Sequence, residues 1–200
     1  MRPTRRTKRN RHLSRRPVAV AITGGLAAGK SEALAAFARH GAATISSDEV
    51  VHELYEDDEV RSALLARFGT ADRREIGERV FSDPNELLWL EKLLHPLVMA
   101  RTQAWLEELA GQPDPPALAV NEVPLLYETG SEGRFDTVVA ITAPRGVRAE
   151  RAGDRLDERE ARLMPDEEKL LRADFAYVND GSLEELDDFV AEVVRMLTTS

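Results

Sequence analysis

Two hundred residues, 42% hydrophobic and 32% charged, fit one α/β domain with a buried core, or one such domain carrying a small helical insertion. They leave no room for a second full domain. No apolar run approaches the roughly 18 residues that span a bilayer, and the absence of cysteine removes disulfides, thiolate metal sites and cysteine nucleophiles together.

The net charge of −9 hides two regions. Arg2, Arg5, Arg6, Lys8, Arg9, Arg11, Arg15 and Arg16 form a basic leader without a single acid, so the remainder carries 19 basic and 36 acidic side chains, a net of −17. Such a body repels polyanions at long range, and any phosphate site in it must be built from local donors. The leader has no apolar h-region and no small-residue cleavage site, which excludes a secretory signal. It reads as a disordered basic tail over 1–17, and a cytoplasmic setting is expected. Apart from this tail no nucleic-acid partner is expected, and no membrane partner.

In chain order, Val18 to Ile22 is a short apolar run between Pro17 and Gly24, the pattern of a buried parallel strand. Glu32 to His40 carries Leu34, Phe37 and Ala38 at helical spacing, with Gly41 placed to stop the helix. A second strand, Ala42 to Ile45, runs into Ser46, Ser47 and Asp48. From Glu49 to about Ala110 the pattern is helical throughout. Within it Asp83-Pro84-Asn85-Glu86 should start a long helix, and Pro96 should kink or end it. Ala117 to Val120 and Thr137 to Ile141 read as two more buried strands. Gly146 to about Leu171 is helical with a break near Pro165, Phe175 to Val178 is a last strand, and Ser182 to Glu185 is a capping box opening a terminal amphipathic helix.

Between the first strand and the first helix lies Gly24-Gly25-Leu26-Ala27-Ala28-Gly29-Lys30-Ser31, the spacing G-x-x-x-x-G-K-S. Its glycines let backbone N–H groups curl around phosphates, its lysine reaches the β- and γ-phosphates, and its serine hydroxyl ligates Mg2+. The expected ligand is ATP with Mg2+, held by Gly25, Ala27, Ala28, Gly29, Lys30, Ser31 and Glu32, with Ser31 on the metal. Ala27 and Ala28 are small enough for the cradle, although alanine resists positive φ. The fold class expected is α/β, a P-loop NTPase-type parallel sheet flanked by helices. The domain spans 18–200, with a helical substrate-side insertion over about 49–110 and a short lid over about 145–170.

Two carboxylates follow strand ends, where open α/β sheets bind ligands. Asp48 either accepts a proton from an acceptor hydroxyl or caps the next helix. Glu122 either acts near the metal or is a surface residue. No Asn-Lys-x-Asp guanine-reading sequence occurs, which weighs against a GTPase. Arg148, Arg151, Arg155, Arg159 and Arg162 recur at spacings of three and four, so one continuous helix would present them on a single face. They suit a lid over phosphates, or a solvated face paired with neighbouring acids.

These motifs line up along nearly the whole chain from Val18 with one family. ITGGLAAGKS, ISSDEVVHEL, ADRREIGERVFSDP, LEKLLHPLV, EVPLLYE and KLLRADFAYVNDGS, in that order, resemble dephospho-CoA kinase. The resemblance implies transfer of the ATP γ-phosphate to the ribose 3′-hydroxyl of 3′-dephospho-CoA, giving CoA and ADP. It implies Asp48 as catalytic base, Lys30 and Ser31 on phosphate and metal, and Arg151 and Arg155 as catalytic lid arginines, with Arg159 next. His95 and Pro96 match the helical-domain motif, where His95 is expected to be structural. Glu32 stands where Thr is usual and Leu163 where Gln is usual, and the lid is shorter than the family's. Another small-molecule or nucleotide kinase, or a non-catalytic nucleotide-responsive binding protein, shares the loop and the fold.

Overall fold

The computed structural model describes residues 16–152 and 163–199, so the tail over 1–15 and Arg155, Arg159 and Arg162 lie outside the described residues. The chain divides into two compact units, one drawn from the chain up to Ser46 and from Leu106 onward, the other Ser47–Trp105.

The first unit is built on five parallel strands: β1 (Val18–Gly24), β2 (Ala43–Ser46), β3 (Leu118–Glu122), β4 (Thr137–Thr142) and β5 (Phe175–Val178). Their order across the sheet is β2-β3-β1-β4-β5, with β1 paired to β3 on one side and to β4 on the other. Parallel strands need crossover connections, and a sheet made this way must be covered on both faces. Alternation along β1 serves both. Val20 and Ile22 point into a core with Val120, Val139, Ile141 and Phe175, whereas Ala21 joins a smaller cluster with Leu126, Tyr127 and Val138.

The larger core is closed by α1 (Lys30–Arg39) and by the terminal helix Leu183–Thr198. Phe37 of α1 and Leu186, Val190 and Val193 of the terminal helix are fully buried there. The α1 helix stops where the sequence places its breaker. Gly41 takes φ +84, its N–H donates to Ala38 O at 3.0 Å, and the Ala42 N–H reaches back to Phe37 O at 3.1 Å. This pair of bonds is the Schellman ending, which turns the chain into β2 with the last helical carbonyls satisfied. On the outside of α1, Asp187 accepts from Arg39 Nη2 at 2.8 Å and faces His40 Nε2 at 2.9 Å. The capping box of the terminal helix is present as expected, with Ser182 accepting from the Glu185 N–H and Glu185 from the Ser182 N–H.

The second unit is helical: α2 (Ser47–Leu54), α3 (Asp58–Phe68), α4 (Arg73–Ser82) and most of α5 (Pro84–Ala110). Asp57 and Asp72 cap α3 and α4, each accepting from two backbone N–H groups of the first turn. α5 begins at Pro84 as expected, the Asp83 carboxylate taking the Asn85 N–H at 2.8 Å. Of the two outcomes expected at Pro96, the end does not occur: α5 runs on through it for 27 residues in all. Proline removes a single ladder bond, and the apolar residues on both sides, with Leu94 nearly inaccessible, keep the helix packed through the gap. Among the described residues no helix is long and apolar enough to cross a membrane. The first unit completes with α6 (Arg145–Ala152) and α7 (Asp166–Arg172), and the terminal helix is α8.

Phe37 joins α1 to the sheet and is wholly buried. Phe37→Ala is expected to cost about 3–5 kcal/mol, the range for emptying an aromatic site in a packed core. Urea unfolding of the variant and the parent protein checks this.

Candidate active site

β1 ends at Gly24, and the chain loops through Gly25 to Gly29 before Lys30 opens α1. Two residues of the loop hold left-handed backbone: Gly29 at φ +97 and Ala27 at φ +57. For alanine that conformation costs on the order of 1 kcal/mol, so surrounding contacts must impose it. Two such contacts are present. Arg151 Nη1 donates to Ala27 O at 3.4 Å, and Asn179 Nδ2 donates to Ala28 O at 2.9 Å. Lys30, 9% exposed, turns back over the loop and donates from Nζ to Gly25 O at 2.8 Å.

The ends of the neighbouring strands complete the surroundings. Glu122 closes β3, is buried, and accepts from Ser31 Oγ at 3.2 Å through Oε2. Glu122 is therefore not a surface residue. A serine hydroxyl beside a buried carboxylate is a hard oxygen donor pair, the kind that suits Mg2+ when phosphate oxygens and water supply the other ligands. On the β4 side, Thr142 Oγ1 donates to Asp166 Oδ2 at 2.6 Å. Arg148 lies 3.3 Å from the same oxygen and also donates from Nε to Ala143 O at 2.9 Å. Asp166 lies against the loop itself, for a side chain at Gly25 would place its Cβ 2.6 Å from Asp166 Oδ2. The first arginine of the stripe is thus buried in an ion pair at the loop, while Arg151 is exposed and touches Ala27. The two are not equivalent members of one solvated face.

Glu32 stands in the first turn of α1, but its carboxylate accepts from Arg39 Nη1 and Nη2 at 3.3 Å, leaving its backbone N–H as its contribution to the helix end. Asp48 belongs to the second unit. α2 starts at Ser47, so Asp48 lies inside the first turn and is not the helix cap. It is exposed and lines a cleft of about 520 Å3 with Glu49, His52, Glu53 and Arg73. Arg73 Nη1 donates to His52 Nδ1 at 3.4 Å and so brings a cation to the cleft that holds Asp48. His95 is half-buried in α5.

Asn179, Asp166 and Arg73 escape sequence reasoning as site residues. Asn179 follows β5 within the quoted stretch YVNDGS and Arg73 lies in ADRREIGERVF, so position in a shared motif was the one available signal. Asp166 had none.

A further pair fixes the chain after β3 to α7. Lys169, 1% exposed, lies with Nζ 2.8 Å from Glu128 Oε1, and the same oxygen accepts the Met164 N–H at 2.9 Å. Burial pushes the Glu128 carboxyl up, but the Lys169 ammonium and the Met164 N–H outweigh it and hold the group below its ordinary 4.5. Next to it, burial pushes the Tyr127 hydroxyl up to about 12, while the Arg172 guanidinium over its ring pulls the other way.

A parallel sheet whose central strand feeds a G-x-x-x-x-G-K-S loop, with a strand-end carboxylate on the loop's serine, defines a P-loop kinase fold. The comparisons with known proteins agree. The family model described as dephospho-CoA kinase matches residues 18–185. A protein named dephospho-CoA kinase from Agrobacterium fabrum is 35% identical over 90% of this chain and 98% of its own. One of the same name from Mesorhizobium japonicum is 37% identical over 88% and 96%. The crystal structure of TT1252 from Thermus thermophilus superposes with TM-score 0.72 at 34% identity, covering 92% of this chain and 99% of that one. A dephospho-CoA kinase from Campylobacter jejuni gives TM-score 0.62 at 25% identity over 91% and 98%. The chain belongs to the dephospho-CoA kinase family.

The folded carboxyl of Glu128 titrates below its ordinary value, so the stability it contributes is fully present above pH 4.5 and is lost as pH falls through the folded value. Glu128→Gln leaves a buried ammonium without its counter-charge and is expected to cost about 3–5 kcal/mol at pH 7. The difference from the parent protein should shrink in acid. Denaturant unfolding at pH 7, 5 and 3.5 reads both effects.

Proposed function

We propose that this chain transfers the γ-phosphoryl group of Mg-ATP to the 3′-hydroxyl of dephospho-CoA, releasing CoA and ADP. One observation carries the reading: a buried Lys30 folded over a loop whose serine is held by the buried Glu122, at the end of the sheet's central strand. Family membership selects the acceptor, because fold and loop alone do not.

In this reading the backbone N–H groups from Ala27 to Ser31 and the N-terminal end of α1 take the β-phosphate, and Lys30 leaves Gly25 O to follow charge onto the β–γ bridge as it develops. Ser31 and Glu122 would hold Mg2+, which when bound neutralises charge on the β- and γ-oxygens. Asp48 takes the proton of the 3′-hydroxyl as that oxygen bonds to the γ-phosphorus. The bond from phosphorus to the β–γ bridging oxygen breaks, and its electron pair leaves with ADP. Arg73, beside Asp48 in its cleft, offers a cation to the acceptor's phosphates. Arg151, anchored at Ala27, and Arg155 stabilise the transferring group. We place the helical substrate-side part over about 49–110 and the lid over about 145–170, in a soluble cytoplasmic enzyme.

A kinase assay offering dephospho-CoA, AMP, dTMP and pantetheine 4′-phosphate in parallel is expected to give turnover with dephospho-CoA alone. Turnover confined to one of the others would transfer the assignment to that acceptor.

Lys30→Ala should lower kcat by roughly 10²-fold or more without loss of fold. Asp48→Asn keeps size and helical position but removes basicity, so kcat should fall by about 10² while ATP affinity and the melting temperature hold. A first-turn carboxylate serving only the helix dipole would instead shift stability by about 0.3–1 kcal/mol and leave kcat alone. Steady-state kinetics, an ATP titration and a thermal melt on each variant separate the two.

A further inference from the structure

Asn179 is 4% exposed and lies just past β5, at the edge strand of the sheet. Its backbone N–H donates to Thr142 O at 2.6 Å, which ties it to the end of β4. Its side-chain Nδ2 donates to Ala28 O at 2.9 Å, across 151 residues of sequence. The fit is close, for a Cβ added at Gly29 would run into Asn179 Nδ2. A residue anchored to the sheet thus grips one carbonyl of the phosphate loop.

The peptide unit between Ala28 and Gly29 is planar and trans, so its carbonyl and its N–H point in opposite directions. Holding Ala28 O toward Asn179 therefore turns the Gly29 N–H away from Asn179. Gly29 at φ +97 then redirects the chain into α1 at Lys30, and Ala27 on the other side is held at φ +57. An isolated loop would not keep this geometry, since the alanine conformation is disfavoured. Of the Asn179 and Arg151 side-chain bonds to this stretch, the Asn179 bond is the buried one, because the Arg151 bond to Ala27 O is longer and comes from an exposed side chain.

We propose that Asn179 is a positioning residue for phosphoryl transfer, which fixes the Ala28–Gly29 peptide so that the Gly29 N–H faces the nucleotide's phosphates. The inference rests on reading the loop as the nucleotide site. It does not depend on which acceptor is used. It predicts an effect on the donor side alone, and an effect that enters through phosphate and not through the base.

The test uses the full chain with Asn179→Ala, and Asn179→Ser as a second variant whose hydroxyl is too short to reach Ala28 O. The Kd for Mg-ADP, measured by calorimetry, should rise by roughly tenfold, the scale of one lost and now misaligned hydrogen bond. KM for ATP should rise by a similar factor, with KM for dephospho-CoA changed by less than about twofold. In 15N-glycine-labelled protein, the shift of the Gly29 amide on saturation with Mg-ADP should shrink in both variants while the other glycines keep their response. Equal weakening of both substrates, or an unchanged Kd for Mg-ADP with only a lowered melt, would overturn the proposal and leave Asn179 as a core residue. If alanine prevents folding, the serine variant alone decides between these results. The calorimetry and the amide shift do not require turnover, so parent protein that binds Mg-ADP but fails to phosphorylate dephospho-CoA would overturn the acceptor reading and leave this inference standing. Parent protein that does not bind Mg-ADP would overturn both.

Discussion

The position of β1 in the middle of the sheet, between β3 and β4, governs the rest of the first unit. From β1 the chain crosses through α1 to β2 at one edge and returns to β3, and then the next connection carries it past β1 to β4. Connections that part to opposite sides leave a crevice at the carboxyl end of the strand between them, the place where open α/β sheets bind ligands. The loop after β1 fills that crevice. Its flanks are supplied from both directions: Glu122 from the end of β3, Thr142 from the end of β4, Asn179 from just past β5.

Charge is handled locally at this crevice. Outside the basic leader the chain carries a net −17, and two carboxylates stand at the loop itself. Each is engaged. Asp166 is offset by Arg148 and by the Thr142 hydroxyl, and Glu122 faces the Ser31 hydroxyl. Backbone N–H groups of the loop, the N-terminal end of α1, Lys30 and Arg151 supply positive charge and donors at the loop. Dipoles fixed in place before the ligand arrives do not have to reorganise during transfer, which is where their catalytic value lies.

Most of the scaffold is written in short stretches of sequence. A short apolar run marked β1, Gly41 ended α1, Ser182 and Glu185 capped α8, and the spacing around Lys30 marked the loop, because each of these depends on residues a few positions apart. Family motifs then supplied the acceptor. What stayed hidden are contacts that only the folded sheet creates. Ser31 meets Glu122 across 91 residues and Asn179 meets Ala28 across 151, distances at which no periodicity operates. The arginine spacing likewise gave a common face but could not tell that Arg148 is buried against Asp166. At Pro96 the local rule about one missing hydrogen bond left a kink and an end both open, and the continuous helix of 27 residues excludes the end. Asp48 stands out by its position after a strand, whereas its cleft partner Arg73 comes from a different helix and was marked only by its place in a shared motif.

The same strand order has a consequence for how the chain is made. β1 pairs with β3 and β4, and β2 pairs with β3, so neither of the first two strands has a partner in the sheet until Leu118 has been synthesised. At about 5–20 residues per second, the apolar Val18–Gly24 segment waits roughly 5–20 s after leaving the ribosome. The helices of 47–105 emerge during that interval and rest on near-neighbour contacts, which form in microseconds to milliseconds. At that point β1, α1 and β2 of the first unit have been made, and neither strand yet has its partner in the sheet. During each round of translation this apolar segment is exposed with its strand edges unpaired, and the cell must keep it from finding another chain before β3 arrives.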